Sequence, residues 1–211
     1  VAADDQGKLF PLLDMLHERF PQITSLLYIV NSKLNDSYGD LPVVTYCGSG
    51  HMEERMQGYH DGKELRFIIN PKSFYQTNAA QAQRLYSFVA ELAELRPDDI
   101  LYDLYTGTGT IALFLADKCR RVVGIEYVEE AIADARINAV ANGFDNTRFV
   151  AGDMAQVLTE DFIAANGHPD VVVTDPPRAG MHEKVVMQLL AAAPRKIVYV
   201  SCNPATQARD L

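Results

Sequence analysis

The sequence predicts an α/β protein, a mostly parallel, doubly wound sheet that follows a small α+β lobe. Three observations carry this. From about residue 71 onward, short strand-type runs alternate with helical runs. Several strands are continuous Val/Ile stretches, such as VVV at 171–173, which signals burial on both faces of a parallel sheet. A glycine-rich turn, TGTGT at 106–110, joins the first of these strands to a helix. With 211 residues, 48% of them apolar, the chain can build one large core, or one core plus a lobe.

In the lobe, residues 1–70, Leu9, Leu12, Leu13, Leu16 and Phe20 recur at helical spacing and predict a helix over 8–20. Strands follow at 25–33, 42–48 and 64–70, separated by Asn, Asp, Gly and Pro clusters. The second domain, 71–211, opens with a helix over 79–95 that carries Leu85, Phe88, Val89 and Leu92 on one face. Then come a strand at 100–105, a helix at 109–118, a strand at 121–126, and a helix that ends at Asn142 with Gly143 as its stop. A strand at 147–153, a further helix, a strand at 170–175, a helix near 183–192 and a strand at 196–201 complete the alternation. No internal repeat or low-complexity tract interrupts it.

The bulk numbers exclude several classes. Lys and Arg total 19 against 28 Asp and Glu, a formal charge of −9, which argues against gripping nucleic acid with the whole surface. A local basic mouth remains open, formed by Lys72, Arg178, Lys184 and Arg209 near the strand ends. Cys47, Cys119 and Cys202 are too few and too scattered for a disulfide framework or metal cluster, and free thiols fit a reducing cytoplasm. The histidines at 17, 51, 60, 168 and 182 lack paired-ligand spacing, so no metal is expected. No long apolar run spans a membrane, and VAADDQGKLF has no signal-peptide pattern. The absence of Met at position 1 reads as a piece of a longer protein.

The segment DLYTGTGTIA, 103–112, satisfies G-x-G-x-x-A, so a nicotinamide cofactor is one reading of Gly107 and Gly109. A plain strand-to-helix turn is another. Three carboxylates shift the balance. Asp103, four residues before the first glycine, can accept from an ammonium group or from loop amides but would repel a pyrophosphate. Glu126 ends the next strand, where an acid takes ribose hydroxyls. Asp153 follows the third strand and offers a carboxylate to an adenine amino group. Together they suit a ligand with ribose, adenine and a cationic amino-acid tail, which is S-adenosylmethionine.

The segment VVVTDPPRAG, 171–180, sets Asp175 and Arg178 on a proline-stiffened loop at a strand's carboxyl end, although an ordinary capped connection also fits. At the last strand's end, SCNPAT is polar and turn-forming. Cys202 therefore leaves the strand, which favours a presented nucleophile over a buried structural thiol.

Taken together, FYQTN (74–78), DLYTGTGT (103–110), NAVANG (138–143), DPPRAG (175–180) and SCNPATQARDL (201–211) resemble the RNA uracil-5-methyltransferases, which make 5-methyluridine in ribosomal and transfer RNA. The resemblance covers 71–211 strongly and the lobe more loosely. It implies a Rossmann-like methyltransferase fold, here truncated at the C-terminus. It further implies that Cys202 is the nucleophile, assisted by Asp175 and Arg178. S-adenosylmethionine would lie on Gln76, Asp103, Tyr105, Gly107, Gly109, Thr110, Glu126, Asp153 and Asp175. Phe74 and Asn203 would face the target base. Thr106 and Thr110 stand where the family often has Cys and Asn. The family's general base, a glutamate in a His-x-Glu segment, falls beyond Leu211, and the N-terminal RNA-holding barrel and iron–sulfur cysteines of some members are not in this sequence. The expected partner is RNA, ribosomal sooner than transfer, with no membrane and a monomeric chain. The competing expectation is an S-adenosylmethionine- and RNA-binding module without catalysis.

Overall fold

The computed structural model describes residues 1–2, 5–35, 37–59 and 62–211. His60, one of the histidines considered above, lies outside the described residues. The chain divides into two units, residues 1–53 with 68–72, and residues 54–67 with 73–211.

In the first unit, α1 (Gln6–Arg19) buries Leu9 and Leu13, one helical turn apart, while Leu12 and Phe20 are exposed. Strand β1 (Ser25–Tyr28) pairs antiparallel with β2 (Val44–Gly48), with Ser25 opposite Gly48. Both strands are shorter than the runs that predict them. A further two-stranded sheet pairs β3 (Met52–Gln57) with β4 (Glu64–Ile69); residues 54–57 and 64–67 of these strands belong to the second unit. The sequence gives β3 little signal, because MEERMQ has no β-branched or aromatic residue. Its apolar partner β4 specifies the pairing by burying Leu65, Phe67 and Ile69 in strict alternation.

The second unit is a five-stranded parallel sheet in the order β7-β6-β5-β8-β9. Its strands are β5 (Ile100–Leu104), β6 (Arg121–Glu126), β7 (Thr147–Ala151), β8 (Val171–Thr174) and β9 (Lys196–Tyr199). The helices are α2 (Ala79–Ala93), α3 (Thr110–Leu115) with a 3-10 turn at Ala116–Lys118, α4 (Glu129–Asn142), α5 (Met154–Val157), α6 (Glu160–Asn166), α7 (Glu183–Ala192) and α8 (Pro204–Asp210). Every residue of β5 and β8 is buried, as continuous apolar runs require of central parallel strands. Gly143 stops α4 in the left-handed conformation with φ of 75°.

Two expectations are corrected. Of Leu85, Phe88, Val89 and Leu92, expected together on one face of helix α2, only Val89 is buried; Leu85 is half-buried, Phe88 and Leu92 are exposed, and Ala82, Tyr86 and Ala93 are buried along with Val89. The alanines let the helix approach the sheet closely, and the Tyr86 hydroxyl reaches Thr110 Oγ1 at 3.2 Å. The Asn-Pro segment after Cys202 is a helix start, not only a turn. The Asn203 side chain accepts from Ala205 N at 3.1 Å, and Pro204 takes the first helical position, where a missing N–H costs nothing.

On β6, between β5 and the edge strand β7, Gly124 sits where a side chain has no room. A Cβ there would lie 2.5 Å from Phe149 Cδ1 and 3.1 Å from Thr106 Cγ2. Gly124→Ala is expected to destabilise the fold by about 1–3 kcal/mol through overpacking. The measurement is the shift in the urea midpoint at unchanged slope.

Candidate active site

The connections reverse between β5 and β8, so the strand ends there flank the position at which open α/β sheets hold ligands. Register fixes which residues gather. Leu104 lies opposite Thr174, and Asp175 N donates to Leu104 O at 3.4 Å. On the other side Glu126 lies opposite Ala151, and Gly152 N donates to Glu126 O at 2.8 Å, leading to Asp153. Beyond β8, Val200 N donates to Thr174 O at 2.9 Å, which carries the chain past Tyr199 toward Cys202. Asp103, Glu126, Asp153, Asp175 and Cys202 therefore share the carboxyl edge of one sheet.

The glycine loop is built on Asp103. This carboxyl is 1% exposed; its Oδ2 accepts from Thr106 Oγ1 at 2.5 Å and from Ala112 N at 3.0 Å, while Oδ1 has no partner. Both partners of Asp103 lie within the chain, a hydroxyl of the loop and an amide of α3. Burial pushes its pKa up to about 7, with the Asp175 and Glu126 charges adding to the rise and the two hydrogen bonds opposing it. Tyr105 follows with φ of 62°, a left-handed geometry that a non-glycine side chain adopts at a cost. Its half-buried ring packs against the apolar cluster of Tyr102, Leu104, Met181 and Val185. Gly107 N donates to Glu126 Oε2 at 3.2 Å and Val128 N to Oε1 at 3.0 Å, which leaves each oxygen a further lone pair. Gly109 is the N-cap of α3, and Thr110 opens that helix.

Tyr86 belongs to the same group, and the sequence reading missed it. It is 2% exposed, bonded to Thr110, close enough to Asp175 and Asp103 to feel their charges, and burial raises its pKa to about 12. The available signal was its place between the alanines of α2, on the face opposite the leucines.

Helix α8 fastens the Cys202 turn to the Asp175–Met181 loop. Arg178 O accepts from Asn203 Nδ2 and from Thr206 Oγ1, each at 3.2 Å. Arg209 Nη2 donates to Ala179 O at 2.9 Å, and Asp210 Oδ2 accepts from Met181 N and Tyr199 Oη, both at 2.7 Å. Ser201 Oγ donates to Asn203 O at 2.9 Å and accepts from Asn203 N at 3.0 Å, bracketing Cys202. Gly180, with φ of 78°, lies against this clamp; a Cβ there would come within 2.5 Å of Arg209 Nη2 and 2.6 Å of Asp210 Oδ2.

The side chains separate into engaged and unengaged sets. Asn203 is consumed by its cap and by Arg178 O, Asp153 caps α5 through Ala155 N at 2.8 Å, and Arg209 is neutralised by Asp210. Among the described residues, the side chains of Gln76, Asp175, Arg178 and Cys202 make no hydrogen bond or ion pair. Asp175 is half-buried, and burial pushes its pKa up to about 6. Phe74 is 72% exposed. Cys202 is exposed, whereas Cys119 is buried with its thiol pushed up to about 12, and Cys47 is half-buried and 3.5 Å from His17 Nδ1. Of the basic residues, Arg178 is exposed, Lys184 lines a groove of about 720 Å³ between α6 and α7, and Lys72, in the first unit, donates to Gly39 O at 2.7 Å. That groove shares no residue with the strand-end set. Among the described residues no group of three or more His, Cys, Asp or Glu could hold a metal, and no helix is long and apolar enough to cross a membrane.

A parallel sheet in this order, with a glycine loop after its first strand and acids at the next two strand ends, defines the Rossmann-like class of S-adenosylmethionine-dependent methyltransferase folds. A family model described as tRNA (Uracil-5-)-methyltransferase matches residues 48–211. An uncharacterized RNA methyltransferase of Porphyromonas gingivalis is 59% identical over 208 residues, 99% of this chain and 43% of that protein. Another, of Bacteroides thetaiotaomicron, is 54% identical over 212 residues, 100% and 45% respectively. The solved structure of Pyrococcus abyssi tRNA (uracil-54, C5)-methyltransferase in complex with S-adenosyl-L-homocysteine matches with a TM-score of 0.72 at 37% identity, covering 89% of this chain and 43% of that one. The chain belongs to the tRNA (uracil-5-)-methyltransferase family. It spans less than half the length of these relatives.

Proposed function

We propose that this chain is the catalytic part of an enzyme that methylates C5 of a uridine in RNA through a covalent bond between Cys202 and C6 of the base. One observation carries the reading. The exposed Cys202 stands at the carboxyl end of β9, next to the strand that delivers the unpaired, half-buried Asp175. A structural thiol would be buried, as Cys119 is.

The residues present fit S-adenosylmethionine. Gln76 has an unengaged amide, Glu126 keeps lone pairs for hydroxyl donors, and at Gly107 a Cβ would meet nothing within 4 Å, so the loop borders open space. Gln76, Thr110, Glu126, Asp153 and Asp175 would hold it, with Asp103 supporting the loop and Tyr105 the strand end. When bound, it supplies an electrophilic methyl group on a sulfonium. The chain's own task is to make uracil C5 nucleophilic. The Cys202 thiolate adds to C6, and the electron pair of the C5–C6 double bond moves toward C4–O4 as an enolate. Asp175 and Arg178, both without a side-chain hydrogen bond, would orient the uracil edge. After methylation of C5, a base removes the C5 proton and the Cys202–C6 bond breaks, which restores the double bond and frees the thiolate.

The test is trapping. RNA carrying 5-fluorouridine has no C5 proton to lose, so the intact protein should hold it in a covalent complex that survives denaturing electrophoresis. Cofactor binding with neither adduct nor transfer would instead assign a binding module. Nucleoside analysis of ribosomal and transfer RNA from cells lacking the gene decides between the two substrate pools.

A pH dependence follows from the two raised carboxyls. Asp175 and Asp103, held up to about 6 and about 7 by burial, are largely neutral at pH 5 and ionised at pH 8. Their protonated forms contribute stability to the free protein that is complete below the ordinary aspartate pKa and lost as pH rises through 6 to 7. A cationic ligand gains attraction over the same window. Affinity for S-adenosylmethionine is expected to rise from pH 5.5 to 8, with protons released on binding near pH 6.5. Calorimetry in two buffers of different ionisation enthalpy reads this directly; flat affinity without proton release would refute it.

A further inference from the structure

Helix α4 carries two buried rows. One is apolar, Ala131, Ala135 and Ala139; the other is polar, Asp134, Asn138 and Asn142, at 2%, 0% and 5% exposure. Buried polar side chains at spacings of four residues are costly unless each is bonded, and a run of three on one face is a local departure from the amphipathic pattern. Each of the three grips a different part of the second unit. Asn142 Oδ1 accepts from Arg66 N at 2.9 Å and its Nδ2 donates to Arg66 O at 2.7 Å, so the side chain mimics a neighbouring strand. Asn138 Nδ2 donates to Thr108 O, inside the glycine loop, at 3.2 Å. Asp134 Oδ2 accepts from Ser73 Oγ at 2.5 Å.

The Ser73 contact has a directional consequence. Ser73 points inward to Asp134. Tyr75 also points inward, its ring 6.2 Å from that of Phe67 and its hydroxyl buried. Phe74, between these two anchored neighbours, is 72% exposed, and Gln76 follows with an unengaged amide. The same helix face thus holds the segment that presents Phe74 and the loop that borders the cofactor position.

We infer that Asp134 and Asn138, with Ser73, are positioning residues. The polar row of α4 sets the spacing between Phe74, on the RNA side, and the glycine loop, on the methyl-donor side. This rests on the function proposed above, because Phe74 matters only if a base is presented there.

The experiment uses the intact protein in three forms: unaltered, Ser73→Ala and Ser73→Thr. Three quantities are read: the rate of covalent complex formation with 5-fluorouridine RNA, the dissociation constant for S-adenosylmethionine, and the thermal midpoint. Removing only the hydroxyl should slow complex formation by about 10- to 100-fold, the usual effect of loosening a near-attack geometry. Cofactor affinity should fall by much less than the rate, since of the residues proposed to hold the cofactor only Gln76 lies on the loosened segment, and the midpoint should fall by only a few degrees, the cost of one lost hydrogen bond. Threonine keeps the hydroxyl and should restore most of the rate. A Ser73→Ala protein as fast as the unaltered one overturns the inference, and so does a loss that tracks the thermal midpoint or that threonine fails to restore. Failure of the unaltered protein to form any complex is a different result: it overturns the proposed function and removes this inference with it.

Discussion

Cys202→Ala is expected to bind S-adenosylmethionine as tightly as the native protein and to methylate RNA more than about 10^4-fold more slowly, with no covalent complex. The expectation follows from the chemistry of the base. C5 of uracil is a poor nucleophile until a group adds at C6, and an alanine cannot add. Binding survives because the side chains proposed to hold the cofactor lie on other elements: Gln76 ahead of α2, Thr110 at the start of α3, Glu126 on β6 and Asp175 after β8. The turn itself does not depend on the thiol, since Ser201 Oγ and Asn203 bracket it through their own hydrogen bonds. Paired measurements of cofactor affinity and single-turnover methylation separate the two effects. An alanine protein that still methylates at a comparable rate would dismiss the covalent route, and one that loses cofactor affinity in proportion would turn Cys202 into a structural residue.

The second large effect is expected at Asp210. Burial alone would raise its pKa, yet hydrogen bonds from Tyr199, Met181 N–H and Arg209 outweigh it and hold the carboxyl below the ordinary aspartate range. Asp210→Ala leaves the Met181 N–H and the Tyr199 hydroxyl without their acceptor, and Arg209 without its partner. Stranding buried donors costs about 1–3 kcal/mol each, so a loss of about 3 kcal/mol is expected. The functional effect should exceed the stability effect, because the freed segment is the one that fixes Arg178 and Cys202 relative to each other. Urea unfolding gives the first quantity. Methylation at a temperature where the variant remains folded gives the second, and activity equal to the native protein there would show that the clamp serves stability alone. For a carboxyl held low, the stabilising contribution is present above the ordinary aspartate pKa and fades as pH falls through the folded value, opposite in sense to Asp103 and Asp175.

Much of this architecture is legible in the residues, for reasons that differ along the chain. The run RVVGIE gives β6 its full length, and EKVVMQLLAA gives α7 its bounds, because continuous apolar runs and capped helices encode their structure locally. The positions of Asp175 and Cys202, just past strand ends, are legible for the same reason: once a strand is located, its carboxyl end is located too. Helix α2 shows the limit. Leu85, Phe88, Val89 and Leu92 recur at helical spacing, yet the buried set is Ala82, Tyr86, Val89 and Ala93, because the largest apolar side chains are not the ones periodicity sends to the sheet. The polar row of α4 shows another. Spacing reveals that Asp134, Asn138 and Asn142 share a face, but whether that face meets water or the chain depends on Ser73, Thr108 and Arg66, which are distant in sequence. The polar strand β3 is defined chiefly by its partner.

The unequal burial of the three thiols also decides how the protein meets oxidants. Cys119, buried and with its pKa pushed up to about 12, is inert at neutral pH, while Cys202 is exposed. A sulfur open enough to reach a nucleotide is open to peroxide as well. Early oxidative damage should therefore fall on Cys202, at first as a sulfenic acid that a thiol reductant reverses, and only later as acids that it cannot.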